Sequence, residues 1–439
     1  MTNNSATPPR PLYIECGTTE HSLVNTGIQR VVRSIIKEVG TIGARYGFEC
    51  TLIEFGADGF SPIRAAQIEQ PVELPQEVQG RRSMIKGVLV LMDRILRDMC
   101  RLGLYMFLRR KLVHALRALG VMRRPEFVVD SVPPIEMASA RSGELPPVLL
   151  LLDSTWNNAI WPHVEAFRAK GGIVCAVLYD LIPFTHPDTV NEPTRIAHTS
   201  WWNQAPLHVD AIMCISQSVR QDYLDWQSKR YLATPLPPEK VGYFYLGSEV
   251  SHTDPVVRLL TGGEPYFLMV GSLEPRKNHK TVLDAFDLLW KKGVAVRLAI
   301  IGAFGWKSEE LLERIQNHPE LNRQLFLVRD ASDRDLTSLY GQTAGLIIAS
   351  LSEGFGLPIV EAHQRGAAVI CSDIPVFHEV AGERARYFEV LNPEALADQV
   401  VARLQEREHS CSAREEVVQP WINWRESTEQ LLEQVSQFK

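Results

Sequence analysis

The sequence predicts an α/β protein of two doubly wound, parallel-sheet domains, and three observations carry that expectation. The chain has 439 residues, more than one hydrophobic core ordinarily spans. Its strand-like runs are short and continuously apolar, the pattern of strands covered on both faces. They alternate with stretches of helical period. The expected division is an N-terminal domain over 1–250 with a basic helical insert at 81–124, a C-terminal domain over 251–410, and a terminal helical segment over 411–439.

The first strand is expected at Pro11–Cys16. After the turn Asn25-Thr26-Gly27, residues Ile28, Val31, Val32, Ile35, Ile36 and Val39 fall at helical spacing. Strand, glycine turn and helix in that order put a helix N-terminus at the carboxyl edge of the sheet. Gly27 is then either a plain turn glycine or a point where the backbone closes on a diphosphate. Further strands are expected at Cys50–Phe55, Phe127–Asp130, Pro147–Leu152, Ile173–Tyr179 and Ala211–Ile215. In doubly wound sheets the loops after the strands carry the active residues. One such loop runs from Asp153 to Asn158 and holds Trp156 and Asn157, which serve either packing and turn formation or the acceptor side of a site. The other runs from Tyr179 to Pro187 and holds Asp180 and His186; the histidine is either a loop residue without a role or one that folds back. Ser216 opens the next helix as its N-cap.

Residues 81–124 differ from the rest. They hold twelve Lys and Arg against Asp93 and Asp98, so their net +10 leaves −16 for the remainder of a chain whose total is −6. Apolar residues such as Leu91, Ile95, Met99, Leu102 and Met106 are interleaved at helical spacing. A basic amphipathic stretch of this kind reads as an element lying on an anionic membrane surface, or as a solvated hairpin packed on its domain.

Ser248–Pro265 reads as the linker, and Tyr266–Gly271 as the first strand of the second domain. The loop from Ser272 to Asn278 follows, before a helix through Trp290. Arg276 and Lys277 stand at this strand-to-helix junction, as a solvated pair or as the charge that neutralises a diphosphate. Strands are expected at Leu298–Gly302, Leu325–Val328, Leu346–Ala349 and Val369–Ser372, with helices at Ser308–Asn317 and Asp333–Tyr340. The acids of Asp333-Arg334-Asp335 are explained by a helix start rather than by a metal. Trp421, Trp424, Leu431, Leu432, Val435 and Phe438 form one helical stripe at the end of the chain.

The most informative stretch is Ser352-Glu353-Gly354-Phe355-Gly356-Leu357-Pro358-Ile359-Val360-Glu361. Pro358 suits the first turn of a helix, where a missing N–H costs nothing. Gly354 and Gly356 allow a tight turn and close approach. A helix N-terminus behind such a loop binds anions, so amides near Gly356 and Leu357 are expected to face a phosphate. Carboxylates do not bind phosphate. Glu353 and Glu361 are therefore expected to accept from hydroxyls, and phosphate plus hydroxyls describes a nucleotide sugar.

The string Glu-Gly-Phe-Gly-Leu-Pro-x-x-Glu resembles the donor-site signature of the retaining, family-four glycosyltransferases of the GT-B fold. The resemblance implies two Rossmann-like domains facing a cleft, with the last helix crossing back onto the first domain. By this likeness Glu353 faces the donor sugar and Glu361 the ribose. The loop from Gly271 to Asn278 resembles the family's phosphate-binding loop, with Ser272 where an Arg often stands; the positive charge then comes from Arg276 and Lys277. Tyr179-Asp180-Leu181-Ile182-Pro183 resembles the His-Asp-Leu-Ile-Pro loop of members that build polysaccharides and lipopolysaccharides. Tyr179 takes the place of a His that contacts the donor sugar, and Asp180 remains. Related enzymes carry a Gly-Gly pair where this chain has Thr26-Gly27. The reaction implied is metal-independent, retaining transfer of a hexose from a nucleoside diphosphate sugar, marginally GDP-mannose, to a hydroxyl of a lipid-linked or polysaccharide acceptor.

Bulk composition narrows the alternatives. The charge of −6 argues against general nucleic-acid binding. Seven Cys without a Cys-x-x-Cys spacing fit reduced thiols in the cytoplasm, and no cofactor beyond the donor substrate is implied. The N-terminus lacks an apolar signal core, and no run of about 20 apolar residues is present to span a bilayer. The expected location is the cytoplasmic face of the inner membrane, reached peripherally. Two other readings fit the same pattern: a non-catalytic GT-B-like subunit of a polysaccharide assembly complex, and a nucleotide-sugar epimerase.

Overall fold

The computed structural model describes residues 8–20, 22, 27–56, 59–63, 135–230, 235–249, 263–329, 331–409 and 421–438. The basic segment 81–124, the strand expected at 127–130, Thr26 and most of the linker lie outside the described residues.

Two sheets organise the chain. The first contains β1 (Arg10–Glu15), β2 (Phe48–Gly56), β3 (Gly59–Pro62), β4 (Val148–Leu151), β5 (Ile173–Leu178), β6 (Ala211–Cys214) and β7 (Val241–Tyr243). Its order is β3-β2-β1-β4-β5-β6-β7, with all neighbours parallel except the β2–β3 hairpin. The second contains β8 (Tyr266–Val270), β9 (Arg297–Ile301), β10 (Leu325–Val328), β11 (Gly345–Ile348), β12 (Val369–Ser372) and β13 (Ala385–Phe388), in the order β10-β9-β8-β11-β12-β13. In both sheets the chain reverses direction beside its first strand, between β1 and β4 and between β8 and β11. Such a switch point opens a crevice at the carboxyl ends of the strands.

The apolar strand sequences arise because both faces are covered. Tyr266 and Leu268 of β8 join a core shared with the first sheet, while Phe267 and Met269 join a second core on the opposite face. Ala299 and Ile301 of β9 divide from Leu298 and Ile300 in the same way, as the two-residue period of a strand requires.

The Trp424–Ser436 helix returns to the first sheet and packs on the Gly27–Ile42 helix and β7. Asn423 and Glu426 form a capping box at its start. Ser427 Oγ donates to Tyr245 O at 2.6 Å, and Gln430 accepts from the Tyr245 amide. Gly247 lets the chains meet here, since a Cβ at 247 would lie 2.5 Å from the Trp424 backbone. Among the described residues no helix is long and apolar enough to cross a membrane.

Candidate functional site: a cationic crevice at the second switch point

The loops after β8 and β11 leave adjacent strands and so meet at the switch point. Gly271, with φ +145°, turns the first loop away from the sheet. Gly302, at the end of an expected strand, makes this possible: a Cβ there would stand 1.9 Å from Gly271 O. The backbone of Leu351 donates to Arg276 O at 2.9 Å and ties the two loops together.

Arg276, Lys277 and Glu353 converge there. Arg276 Nη1 lies 2.6 Å from one oxygen of Glu353, and Lys277 Nζ lies 2.5 Å from the other. Ser350 Oγ donates to Glu353 Oε1 at 2.7 Å. Arg276 Nη2 pairs with Glu274 at 3.0 Å, and Ser272 Oγ donates to that same Glu274 oxygen at 2.9 Å. The Glu353 side chain is 11% exposed. Burial opposes its charge, but Arg276 and Lys277 outweigh burial and hold the carboxyl at about 2. Burial also works against the Arg276 charge; Glu353, Glu274 and Asp180 outweigh it and raise the pKa. Both oxygens of Glu353 thus hold cations, and one also accepts from a hydroxyl of the chain itself.

The Leu357–Gln364 helix begins at Gly356, whose φ of +106° is open to glycine. Pro358 has no N–H and the Ile359 amide bonds Gly356 O at 2.9 Å, so Gly356 and Leu357 carry the amides at the helix start. Glu361 follows one turn later and is buried. Tyr340 Oη donates to its Oε2 at 3.0 Å, and Arg30 Nη2 pairs with its Oε1. Arg30 belongs to the Gly27–Ile42 helix on the first sheet, so this pair spans the two sheets. Gly27, where a diphosphate was the expected neighbour, opens that helix, is exposed, and has nothing within 4 Å of an added Cβ.

Other residues close the seam between the sheets. A Cβ on Gly354 would fall 2.0 Å from Tyr179 O, so the close approach expected of Gly354 is made to the first sheet's loop. Ser216 Oγ donates to Gly354 O at 2.8 Å. Glu379 accepts from the amides of Gln217 and Ser218 at 2.6 and 2.8 Å, and from Ser218 Oγ. Trp306 Nε1 and Lys307 Nζ donate to Thr189 O and Asp188 O at 2.8 and 2.6 Å. None of these partners is adjacent in sequence, and no local pattern marks them.

The expected acceptor-side residues are placed differently from one another. Asp180 reaches the field of Arg276 and also accepts from the Ile182 amide at 3.0 Å. Tyr179 is buried and its hydroxyl donates to Leu152 O at 2.7 Å. The Phe355 ring is buried against Tyr245 and Trp421. The Trp156 ring packs on His198 at 5.2 Å, Asn157 is exposed, and His186 Nδ1 meets Thr185 Oγ1 at 2.9 Å. At Ser332–Asp335 the structure shows a capping box, which uses Asp335 at a helix start. Among the described residues no group of three or more His, Cys, Asp or Glu is arranged to hold a metal ion.

Residues 252–417 match the family described as glycosyl transferases group 1. The chain carries a glycosyl transferases group 1 domain. It is 35% identical over 280 residues to the serotype-specific mannosyltransferase WbdA of Escherichia coli, covering 62% of this chain and 34% of that protein. It is 25% identical over 281 residues to the O-antigen chain mannosyltransferase RfbU of Salmonella typhimurium, covering 61% of this chain and 73% of that one. The chain thus spans about a third of the length of the WbdA relatives. Among solved structures, Anabaena HepE in complex with UDP-glucose superposes with TM-score 0.59 at 14% identity, over 98% of this chain and all of that one. A glycosyltransferase from Rickettsia africae superposes with TM-score 0.56 at 14% identity, over 97% of each chain. The fold is GT-B. The group 1 domain contains the whole cationic crevice, from Gly271 to Glu361.

Proposed function

We propose that the protein is a retaining glycosyltransferase that moves mannose from GDP-mannose to a hydroxyl of a lipid-linked or polysaccharide acceptor. The observation that carries this reading is the convergence of Arg276 and Lys277 on Glu353, beside the helix start at Gly356 and Leu357. That arrangement offers two fixed cations and a helix N-terminus to one anion. The relatives WbdA and RfbU, both named mannosyltransferases, support mannose as the sugar.

In this mechanism Arg276, Lys277 and the amides of Gly356 and Leu357 neutralise the charge that develops on the departing diphosphate. Glu353 fixes both cations before the donor arrives, so little reorganisation accompanies bond breaking. Glu361 accepts from the ribose hydroxyls. A phosphate oxygen of the donor takes the proton of the attacking hydroxyl, on the same face the diphosphate leaves, and the anomeric configuration is kept. The positive charge supplied by the chain makes a metal unnecessary. Residues 81–124 place the enzyme on anionic lipid at the cytoplasmic face, where each basic residue near the surface contributes about 1 kcal/mol.

Incubation of the purified chain with GDP-mannose and a lipid-linked saccharide tests the reading. GDP release with an α-mannosyl product, unchanged by EDTA, is expected. An inverted anomer, or loss on chelation restored by Mg²⁺, overturns the corresponding part. Flotation with vesicles tests the placement: binding to anionic and not neutral lipid, lost at high salt, is expected, and equal binding to both contradicts it.

A further inference from the structure

Glu361 is covered in this structure. Its side chain is 6% exposed, and both oxygens are engaged, one by Tyr340 and one by Arg30. Tyr340 comes from the same sheet unit as Glu361, whereas Arg30 is delivered by the first turn of the Gly27–Ile42 helix on the other sheet. The Arg30 side chain is 42% exposed, so Arg30 is the more solvent-facing partner of the pair. A ribose that takes Glu361 as its acceptor competes with that guanidinium for the carboxylate.

The place it can move to follows from helix geometry. Four residues at about 1.5 Å each separate Glu361 from Leu357, so a group resting on Glu361 lies roughly 6 Å from the helix start. That distance is within the swing of an Arg side chain. The helix start is also where the proposed donor would lodge its diphosphate. We propose that Arg30 is a donor-gated residue of the cleft. It holds Glu361 while the cleft is empty, and it transfers its guanidinium to the diphosphate when a nucleotide enters and the ribose takes the carboxylate. The inference rests on the reading of Glu361 as the ribose acceptor.

The exchange leaves every one of these groups with a hydrogen-bonding or ionic partner. A buried carboxylate without a cation or donor is costly, so the empty cleft needs Arg30 on Glu361. In the loaded cleft the ribose hydroxyls satisfy Glu361, and the diphosphate presents oxygens suited to the planar fork of an Arg. Because Arg30 belongs to the opposite sheet, its bond to the diphosphate ties donor binding to contact between the two domains. A nucleoside without phosphates gains nothing from Arg30 and must still displace it.

Calorimetric titration of the full chain separates these states. The tightest binder among GDP, UDP and ADP is compared with its parent nucleoside, in wild type, Arg30→Ala, Arg30→Gln and Arg30→Lys. Loss of the guanidinium is expected to weaken the diphosphate by on the order of tenfold or more, the effect of one charge-assisted contact. Nucleoside affinity is expected to stay the same or rise, and Arg30→Lys to fall between. Arg30→Gln keeps a donor for Glu361 without the charge and covers a failure of Arg30→Ala to fold. Equal weakening of both ligands, or an unchanged ratio, would overturn the proposal and leave Arg30 as a structural partner of Glu361. Absence of binding by wild type to every diphosphate would instead overturn the donor-site reading itself.

Discussion

The two switch points of this molecule have the same topology and carry different side chains. Between β1 and β4 the loops carry acids. Glu15 accepts from the Gly17 amide at 3.0 Å, and Asp153 accepts from the amides of Thr19 and Ser154 at 2.5 and 2.6 Å. Burial raises both carboxyl pKa values, and for Glu15 the neighbouring Asp153 raises it further. Between β8 and β11 the loops carry Arg276 and Lys277, and the carboxylate there is held at about 2. The sheet order supplies a crevice in each case, and the side chains decide which one suits an anion. The acids of the first crevice accept from backbone amides, whereas the cations of the second converge on Glu353, in the loop that leads into the Leu357–Gln364 helix.

The largest expected effects come from removing that positive charge. Lys277→Ala and Arg276→Ala should each lower transfer by about 2–4 kcal/mol of transition-state stabilisation, the range for one preorganised donor. Arg276→Ala should also destabilise the fold, by about 3–5 kcal/mol in denaturant titration, because Glu353 and Glu274 lose a buried partner. Activity near wild type in both variants would erase the contrast between the crevices.

Glu353→Gln comes next. Its shape is kept while the anchor for both cations is weakened, so transfer should collapse and diphosphate binding survive. The stability it confers has a definite pH window. The folded pKa lies below the ordinary value for Glu of about 4.3, so the contribution is full above that value and is lost as pH falls toward about 2. A urea series from pH 6 to pH 3 should show a steeper loss in wild type than in Glu353→Gln, and parallel curves would contradict the pairing.

Smaller effects separate the seam and the first crevice from the second. Gly354→Ala forces a Cβ onto Tyr179 O and should cost about 1–3 kcal/mol of stability, as overpacking does. Its transfer rate should fall while diphosphate affinity stays near wild type. Asp153→Asn should cost about 1.5–3 kcal/mol, the worth of hydrogen bonds to a charged group, with diphosphate affinity unchanged. A loss of diphosphate affinity in Asp153→Asn would blur the comparison.

Much of the second domain was legible because its chemistry is local. The strands at Leu325–Val328 and Val369–Ser372 fall where their apolar runs end. Arg276 and Lys277 stand in one loop, and Glu353 and the helix at Leu357 in another, each readable as a short string. The strands that escaped notice are edge or near-edge pieces with weak patterns: Gly59–Pro62 contains Gly and Pro, Val241–Tyr243 has three residues, and Ala385–Phe388 mixes Arg with apolar residues. Contacts between distant segments were not legible at all. Nothing near Arg30 announces Glu361, and nothing near Glu379 announces the helix start at Gln217. Tyr179 shows a different limit: at the end of a strand, one step of alternation decides between cleft and core, and the structure turns it to Leu152.

On the proposed function, the second crevice, and not the first, holds the diphosphate of a nucleotide. Calorimetric titration of GDP into wild type, Lys277→Ala and Asp153→Asn tests it most directly. Binding to wild type and Asp153→Asn with equal affinity is expected, with a loss of on the order of tenfold or more in Lys277→Ala. Weakening in Asp153→Asn with none in Lys277→Ala would contradict it.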